Sequence, residues 1–326
     1  MKTTVLTLIG VATLSLAGAC THKEQPQPEK TVFVYTFERP AVMDSNDSKK
    51  LIERFLGARD VGDLYKSSDN TLYYVSKTDV SETFEHDINN GNFTYNKSMK
   101  KYTGDYVPQL PGKEDATKLA EEFLNKNALL PRNRNELKLV HFGGLRASTV
   151  IDGKKAGPVI DEMVTINYAR VIDNTPVIGP GSKIVVKLGD KGEVMGVIRR
   201  WRELVAGSRK PVQPQEMIPQ QEAEEMARRQ VMTEYGEGTS YKILGSGRAY
   251  YDNNGSILQP VYTFEVAISL QDQKVSPFNY LCVVPTLRKS PEPLNLTAVD
   301  PRAKEMIKSI KRGERPTPRS ERQPID

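Results

Sequence analysis

The stretch Asp173–Val194, DNTPVIGPGSKIVVKLGDKGEV, packs two prolines and four glycines around a short run of branched apolar residues. Within it, residues 183–188 alternate with the period of a strand that is buried on one face. DNTP turns the chain before this strand, GPG permits a sharp bend because glycine tolerates positive φ, and GDKG closes the next hairpin. The stretch therefore predicts a bent sheet. It lacks the Gly-x-x-x-x-Gly-Lys frame of a phosphate loop.

Three segments with helical spacing precede groups of strands along the chain. They are DSKKLIERFLG at 47–57, DATKLAEEFLNKNALLP at 115–131 and IPQQEAEEMARRQVM at 218–232. Asp47 and Asp115 are predicted to cap the first two helices, because a carboxylate accepts from the free amides of a helix start. Helices and hairpin-linked strands in separate blocks predict an α+β fold with antiparallel sheets.

Length and composition fit several small domains. The chain has 326 residues, 38% of them hydrophobic and 27% charged, and a formal net charge of +5 at pH 7. That charge is mild for this length and gives no argument for nucleic acid as a partner. We expect an N-terminal α+β unit over 32–111, further units over 112–205 and 214–288, and a basic, Pro-rich and largely disordered tail over 289–326.

The N-terminus is typical of an exported protein. Lys2 precedes an apolar run over Val5–Ala19, which predicts a signal peptide over residues 1–19. The polar, Pro-rich segment over 20–31 has the composition of a tether. LAGAC, ending at Cys20, resembles the lipobox of bacterial lipoproteins, which implies lipidation (palmitate) of Cys20 and an anchor on the extracytoplasmic side of a bacterial envelope. The alternative is an ordinary signal peptide that is cleaved nearby.

A second resemblance concerns the middle of the chain, roughly residues 112–286. The residues that carry it are NALLP at 127–131, YARVIDNTPVIGPGS at 168–182, IVVKLG at 184–189, GEV at 192–194 and LQPVYTFEV at 258–266. Together they look like the PepSY superfamily, which includes propeptide modules of thermolysin-like proteases and extracytoplasmic regulators of the YycI and YcdB types. The resemblance implies tandem helix-on-antiparallel-sheet units that serve protein contacts, inhibition or regulation, and it carries no catalytic residues.

Residues with chemistry of their own are sparse. The histidines are His22, His86 and His141, no two of them at helical spacing, and the cysteines are Cys20 and Cys282. We therefore predict no metal site, no cofactor and no catalytic residue, and we expect Cys282, in an apolar strand, to be a buried and inert thiol.

The sequence RRWR at 199–202 offers a candidate contact surface. Strand alternation places Arg200 and Arg202 on one face, and Arg199 and Trp201 on the other. We take Arg199, Arg200 and Arg202 as candidate contacts for an envelope protein or peptide. The alternative is an edge strand whose Trp201 lies in a core.

The functional hypothesis is a lipid-anchored, extracytoplasmic module that binds, regulates or inhibits another protein and has no catalytic activity. Its partner, an envelope protein or peptide, would bind at a sheet edge or in a cleft between units. Two alternatives stay open. One is an envelope hydrolase whose site is scattered in sequence, since catalytic groups are recognised by geometry rather than by order. The other is an accessory subunit of an envelope complex.

Overall fold

The computed structural model describes residues 31–39, 45–56, 65–66, 70–77, 79–102, 106–147, 150–151, 154–155, 159–270 and 276–294. The predicted signal peptide, Cys20, nearly all of the tether and the tail beyond residue 294 lie outside these ranges. The described residues from Val32 onward belong to one compact unit. Within the described ranges, no helix combines the length and the apolar character needed to cross a membrane.

The three predicted helices are confirmed, with different starts. They are α1 (Ser45–Leu56), α2 (Lys113–Lys126) and α3 (Gln220–Tyr235). Asp47 lies in the first turn of α1, and the residue before α2 is Gly112, so neither Asp47 nor Asp115 is the cap. A carboxylate in the first turn still stabilises a helix through its dipole.

Sixteen strands are present in the described residues. They are β1 (Phe33–Thr36), β2 (Tyr65–Lys66), β3 (Thr71–Val75), β4 (Thr83–Asp87), β5 (Asn92–Asn96), β6 (Leu137–Ala147), β7 (Val150–Ile151), β8 (Lys154–Lys155), β9 (Ile160–Ile172), β10 (Thr175–Ile178), β11 (Lys183–Leu188), β12 (Val194–Arg200), β13 (Lys210–Pro211), β14 (Ser240–Tyr251), β15 (Ile257–Ser269) and β16 (Phe278–Pro285).

Fourteen of these strands form one mixed sheet, which contradicts the predicted fold class. The order is β13-β1-β15-β14-β10-β9-β11-β12-β5-β4-β3-β2, with β16 on β15 and β6 on β9. The pair β10–β14 is parallel, and the other described pairs are antiparallel. The tandem helix-on-antiparallel-sheet arrangement is therefore wrong. Strand pairing crosses the predicted unit borders, because β12 pairs with β5, β10 with β14, and β1 with β15.

The bend at GPGS lies between β10 and β11, where the two halves of the sheet meet. Both strands pair with β9, and β10 also pairs with β14, which belongs to the other half. Gly179 has a φ of 110°, which other residues rarely adopt. A Cβ on Gly179 would overlap the carbonyl oxygen of Asp252, and a Cβ on Gly181 its carboxylate. The predicted bend is thus present, and it connects what the sequence indicated as separate units.

Two main cores lie on this sheet. In the first, α1 and α2 cover one face of β3, β4, β5, β12, β11 and β9, with Leu124, Ile166 and Val186 fully buried. In the second, α3 covers β14, β15 and β16, where Phe264 is fully buried. Trp201 is 2% exposed and belongs to the first core, as the alternative interpretation of RRWR predicted. The edge position in that interpretation is wrong, because β12 pairs with β11 on one side and with β5 on the other.

Candidate functional site

Strand β6 is paired along one edge only, as far as the described chain goes. It runs antiparallel to β9, and its other edge has no strand partner there. The pairing is irregular between Leu139 and His141 and again between Leu145 and Arg146. Between these bulges, residues 141–145 keep a regular register. An unpaired strand edge exposes a row of amide and carbonyl groups that can pair with another chain.

Apolar side chains are concentrated around this edge. On β6 itself, Leu139 is 37%, Val140 56% and Leu145 46% exposed. Val107 and Val159 are also exposed, and each lies within three positions along the chain of a residue that lines the cavity described next. These are five of the ten large apolar side chains that are exposed in the described chain. A concentration of this kind is typical of an interaction surface.

A cavity of about 550 Å³ lies beside the edge. It is bounded by β6, by the start of β9 and by the segment that leads into α2, and its apolar lining includes Leu110, Phe142 and Met163. Gly143 and Gly144 also line the cavity and contribute no side chain to fill it. The arrangement can receive an apolar side chain next to a free strand edge.

The edge is also limited in ways that protect it from uncontrolled pairing. The two bulges confine regular backbone to residues 141–145, and the strand carries Lys138, His141 and Arg146. Arg146 pairs with Asp161 at 2.5 Å at the rim of the cavity. Bulges and charges on an edge disfavour long edge-to-edge association. The edge is therefore suited to a short extended segment.

Of the three predicted contact arginines, Arg199 is engaged inside the first core. Its Nε donates to the Leu129 carbonyl at 3.1 Å and its Nη1 to the Trp201 carbonyl at 2.9 Å. Burial lowers the pKa of Arg199. Arg199 and Trp201 thus lie on the helix side of the sheet, as alternation predicted, and Arg199 is occupied by backbone carbonyls.

Arg202 is also occupied by the protein itself. Its side chain is 8% exposed, lies 2.9 Å from the carboxylate of Asp252 and donates to the Gly255 carbonyl. The guanidinium lies over the ring of Phe37, 4.1 Å from its centroid. Burial lowers the pKa of Arg202, and the carboxylate of Asp252 opposes that shift. Arg202 therefore holds the β14–β15 turn.

Arg200 reaches a surface cavity. It lines a small polar cavity together with residues of β3, β4 and β5 and with Asn254 of the β14–β15 turn. Arg200 and Arg202 both lie near this turn, but Arg202 follows the end of β12, and the two side chains have different surroundings. The cavity at Arg200 is separate from the β6 edge, since the two share no lining residue.

Sequence analysis missed the buried polar joint between the halves of the sheet. Arg170 is fully buried and lies 3.0 Å from Glu136, and it donates to Ser182 at 3.1 Å and to the Arg202 carbonyl at 2.6 Å. Ser182 in turn donates to Asp252 at 2.7 Å. The signal was present, because Arg170 occupies an alternating position on β9 whose neighbours on that face are apolar.

The histidines and Cys282 form no accessible reactive site in the described part of the chain. His86 Nδ1 lies 2.8 Å from Ser48 Oγ, but both residues are 0% exposed, so a substrate cannot reach the pair. His141 is exposed on β6, and His22 lies outside the described residues. Cys282 is buried, and burial raises the pKa of its thiol to about 12, which keeps it protonated and unreactive.

Potential metal ligands are dispersed. Where the chain is described, no three His, Cys, Asp or Glu side chains come together in a way that could hold a metal ion.

Comparisons with known proteins add no identification. A scan against family models found no match for this chain. A search of curated proteins found no match either. The resemblances to lipoproteins and to the PepSY superfamily stay predictions drawn from the residues.

Proposed function

We propose that this chain is an extracytoplasmic, lipid-anchored binding protein that captures a short extended segment of a partner protein at the free edge of β6. The observation that carries the proposal is the coincidence of an unpaired strand edge with a neighbouring cavity of about 550 Å³. Strand addition uses main-chain hydrogen bonds for affinity and side-chain pockets for specificity, and both elements are present here.

The bound segment is short and apolar. Regular backbone over residues 141–145 can pair with a segment of about five residues. Alternate side chains of an added strand point to one face, so one or two of them meet the cavity beside Phe142 and Met163. Since so short a strand buries little surface, we expect a dissociation constant on the order of micromolar.

The proposed location rests on the N-terminal sequence. The apolar run, the LAGAC segment and the polar tether support export and anchoring through Cys20. A tether of this length holds the binding edge close to the membrane and leaves it free to meet envelope proteins. Neither the hydrolase nor the accessory-subunit alternative is favoured by a specific observation, and the buried Ser48–His86 pair has no route for substrate.

A charge introduced at the edge tests the proposal. Peptides selected from a random library on the full chain are measured by fluorescence anisotropy against the wild type and Leu145→Lys. Because a lysine on an edge disfavours strand addition, we expect Leu145→Lys to weaken binding about tenfold or more. Leu281→Lys is the matched control, since Leu281 is 50% exposed on β16, another strand paired on one side. Equal binding by wild type and Leu145→Lys would contradict the proposal.

A further inference from the structure

A small polar cavity lies on the face of the sheet opposite α1 and α2. Its volume is about 200 Å³. Arg200 of β12, Asn92 of β5, and Glu85 and Asp87 of β4 line it, and Asn254 of the β14–β15 turn closes one side. Their neighbours along these strands face the first core, so alternation directs this set to the other face.

Opposite charges stand at the two ends of this cavity. Arg200 lies on β12, Glu85 and Asp87 lie on β4, and β5 runs between these strands. Adjacent strands are about 5 Å apart, so the backbones that carry the charges are separated by roughly 10 Å. Arg200 and Glu85 form no ion pair or hydrogen bond with any residue in the described ranges. No described residue therefore neutralises Arg200 or Glu85, whereas Asp87 already accepts from the Asn89 amide and from Asn90 Nδ2.

Between the charges lies a buried polar atom without a partner. Asn92 is 7% exposed, and its Nδ2 donates to Asn254 Oδ1 at 3.0 Å. Its Oδ1 is buried and has no hydrogen-bond partner. An unsatisfied buried acceptor costs free energy unless a ligand or water supplies a donor. Asn92 lines the cavity, but its Oδ1 has almost no accessible surface, so a ligand reaches this atom only after the amide group turns toward the cavity.

The charge arrangement selects the kind of ligand. A simple anion at Arg200 would be repelled by Glu85 and Asp87, and a simple cation at the carboxylates would be repelled by Arg200. A molecule that carries both charges is attracted at each end. The volume corresponds to about seven water molecules, which is the size of a single amino acid rather than a long peptide.

We propose that this cavity binds a small zwitterion of amino-acid size. The carboxylate of the ligand pairs with the guanidinium of Arg200, which is suited to bidentate binding. The ammonium group lies toward Glu85, and Asp87 adds negative charge two residues further along β4. This binding is independent of partner capture at β6, because the two cavities have no lining residue in common.

Calorimetric titration of the full chain with the common amino acids, one at a time, tests this site. We expect at least one of them to bind. Its N-acetyl derivative, which lacks the ammonium, and its amide, which lacks the carboxylate, should each bind about tenfold more weakly, because each loses a charge-assisted hydrogen bond. In the wild type, the side-chain amide signal of Asn92 in the NMR spectrum should shift on binding.

Two variants assign the ends of the ligand. The Arg200→Gln variant should bind the amino acid and its amide with equal affinity, because the partner of the carboxylate is gone. The Glu85→Gln variant should bind the amino acid about tenfold more weakly than the wild type does. Arg134→Gln and Glu114→Gln are controls of the same chemistry at exposed positions outside the cavity.

Three outcomes would overturn the assignment. The first is the absence of binding by every amino acid at millimolar concentration. The second is binding of the acetylated or the amidated derivative as tightly as the amino acid itself. The third is binding of a divalent cation alone, at Glu85 and Asp87, in the absence of any amino-acid binding.

Discussion

At the joint of the two sheet halves, the guanidinium of Arg170 is completely withdrawn from water. Burying a charge costs several kcal/mol unless its partners are all in place. Here the partners come from different parts of the chain: Glu136, Ser182 and the backbone of residue 202. The Arg170 guanidinium also lies over the ring of Trp201, 4.1 Å from its centroid. These contacts connect β9 with residues 136, 182 and 202 at the joint, while the Nε of Arg170 faces Glu136 without a hydrogen bond of good geometry.

His86 makes the stability of the chain sensitive to acid. Desolvation lowers the pKa of His86 below its ordinary value of 6.5. Below about pH 6.5, the unfolded chain therefore binds a proton at His86 that the folded chain does not bind. The contribution of neutral His86 to stability is complete above that pH and is lost as the pH falls. Urea unfolding at about pH 7.5 and about pH 5 should show that acidification lowers the free energy of unfolding less in His86→Gln than in wild type.

His141→Gln is the matched control for this measurement, since His141 is exposed on β6. The change in the free energy of unfolding between these two pH values should be the same in His141→Gln as in wild type. An unchanged acid sensitivity in His86→Gln would refute the role of His86.

Some residue roles follow from sequence and others do not. Burial of Trp201 and Cys282 was expected from residue type and apolar surroundings, and both are buried. The contacts of Arg199 and Arg202 with groups of the protein itself were not expected, because alternation gives the face of a strand but not what covers that face. The position of Arg170 among apolar neighbours marked a buried charge, yet its partners are distant in sequence and no local pattern names them.

Among the elements, the GPGS bend has the most exacting sequence requirement. Gly181 faces the Asp252 carboxylate, which is itself held by Ser182 and Arg202, so Asp252 cannot move away. Gly181→Ala should lower the free energy of unfolding by about 2 kcal/mol, the usual cost of overpacking. Gly245→Ala is the control, because no atom lies within 4 Å of a Cβ built there. Equal stability of the two variants would contradict the packing argument.

Periodicity recovered the elements better than their pairing. The strict alternation in β11 and β15 and the apolar stripes of α1 and α2 are present in the sequence as local patterns, and these elements form where they were expected. The parallel pair β10–β14 joins strands more than 60 residues apart in the chain, and no local pattern encodes it. That pair, together with β12–β5 and β1–β15, is why the prediction of tandem helix-on-sheet units was wrong. The unpaired edge of β6 depends on the order of the strands in the sheet, so no local sequence pattern predicts it either.

For the whole molecule, the proposed anchor predicts a membrane location that depends on one residue. In a bacterial host that processes lipoproteins, the wild-type chain should fractionate with membranes and carry lipid detectable by mass spectrometry. Cys20→Ala should carry no lipid, because it lacks the thiol to which the lipid would be attached. Cys282→Ala should stay with the membranes, since Cys282 is buried. A lipid mass that is absent from the wild type, or that remains on Cys20→Ala, would contradict lipidation of Cys20.

The central claim is that β6 receives an added strand, and amide hydrogen exchange of the full chain with a library-selected peptide tests it most directly. Amides on a free edge exchange quickly, and pairing slows them. We predict slower exchange at alternate amides of residues 141–145 when the peptide is bound. Exchange along the outer edge of β16 should not change. Protection at β16 or elsewhere, with β6 unaffected, would contradict the account.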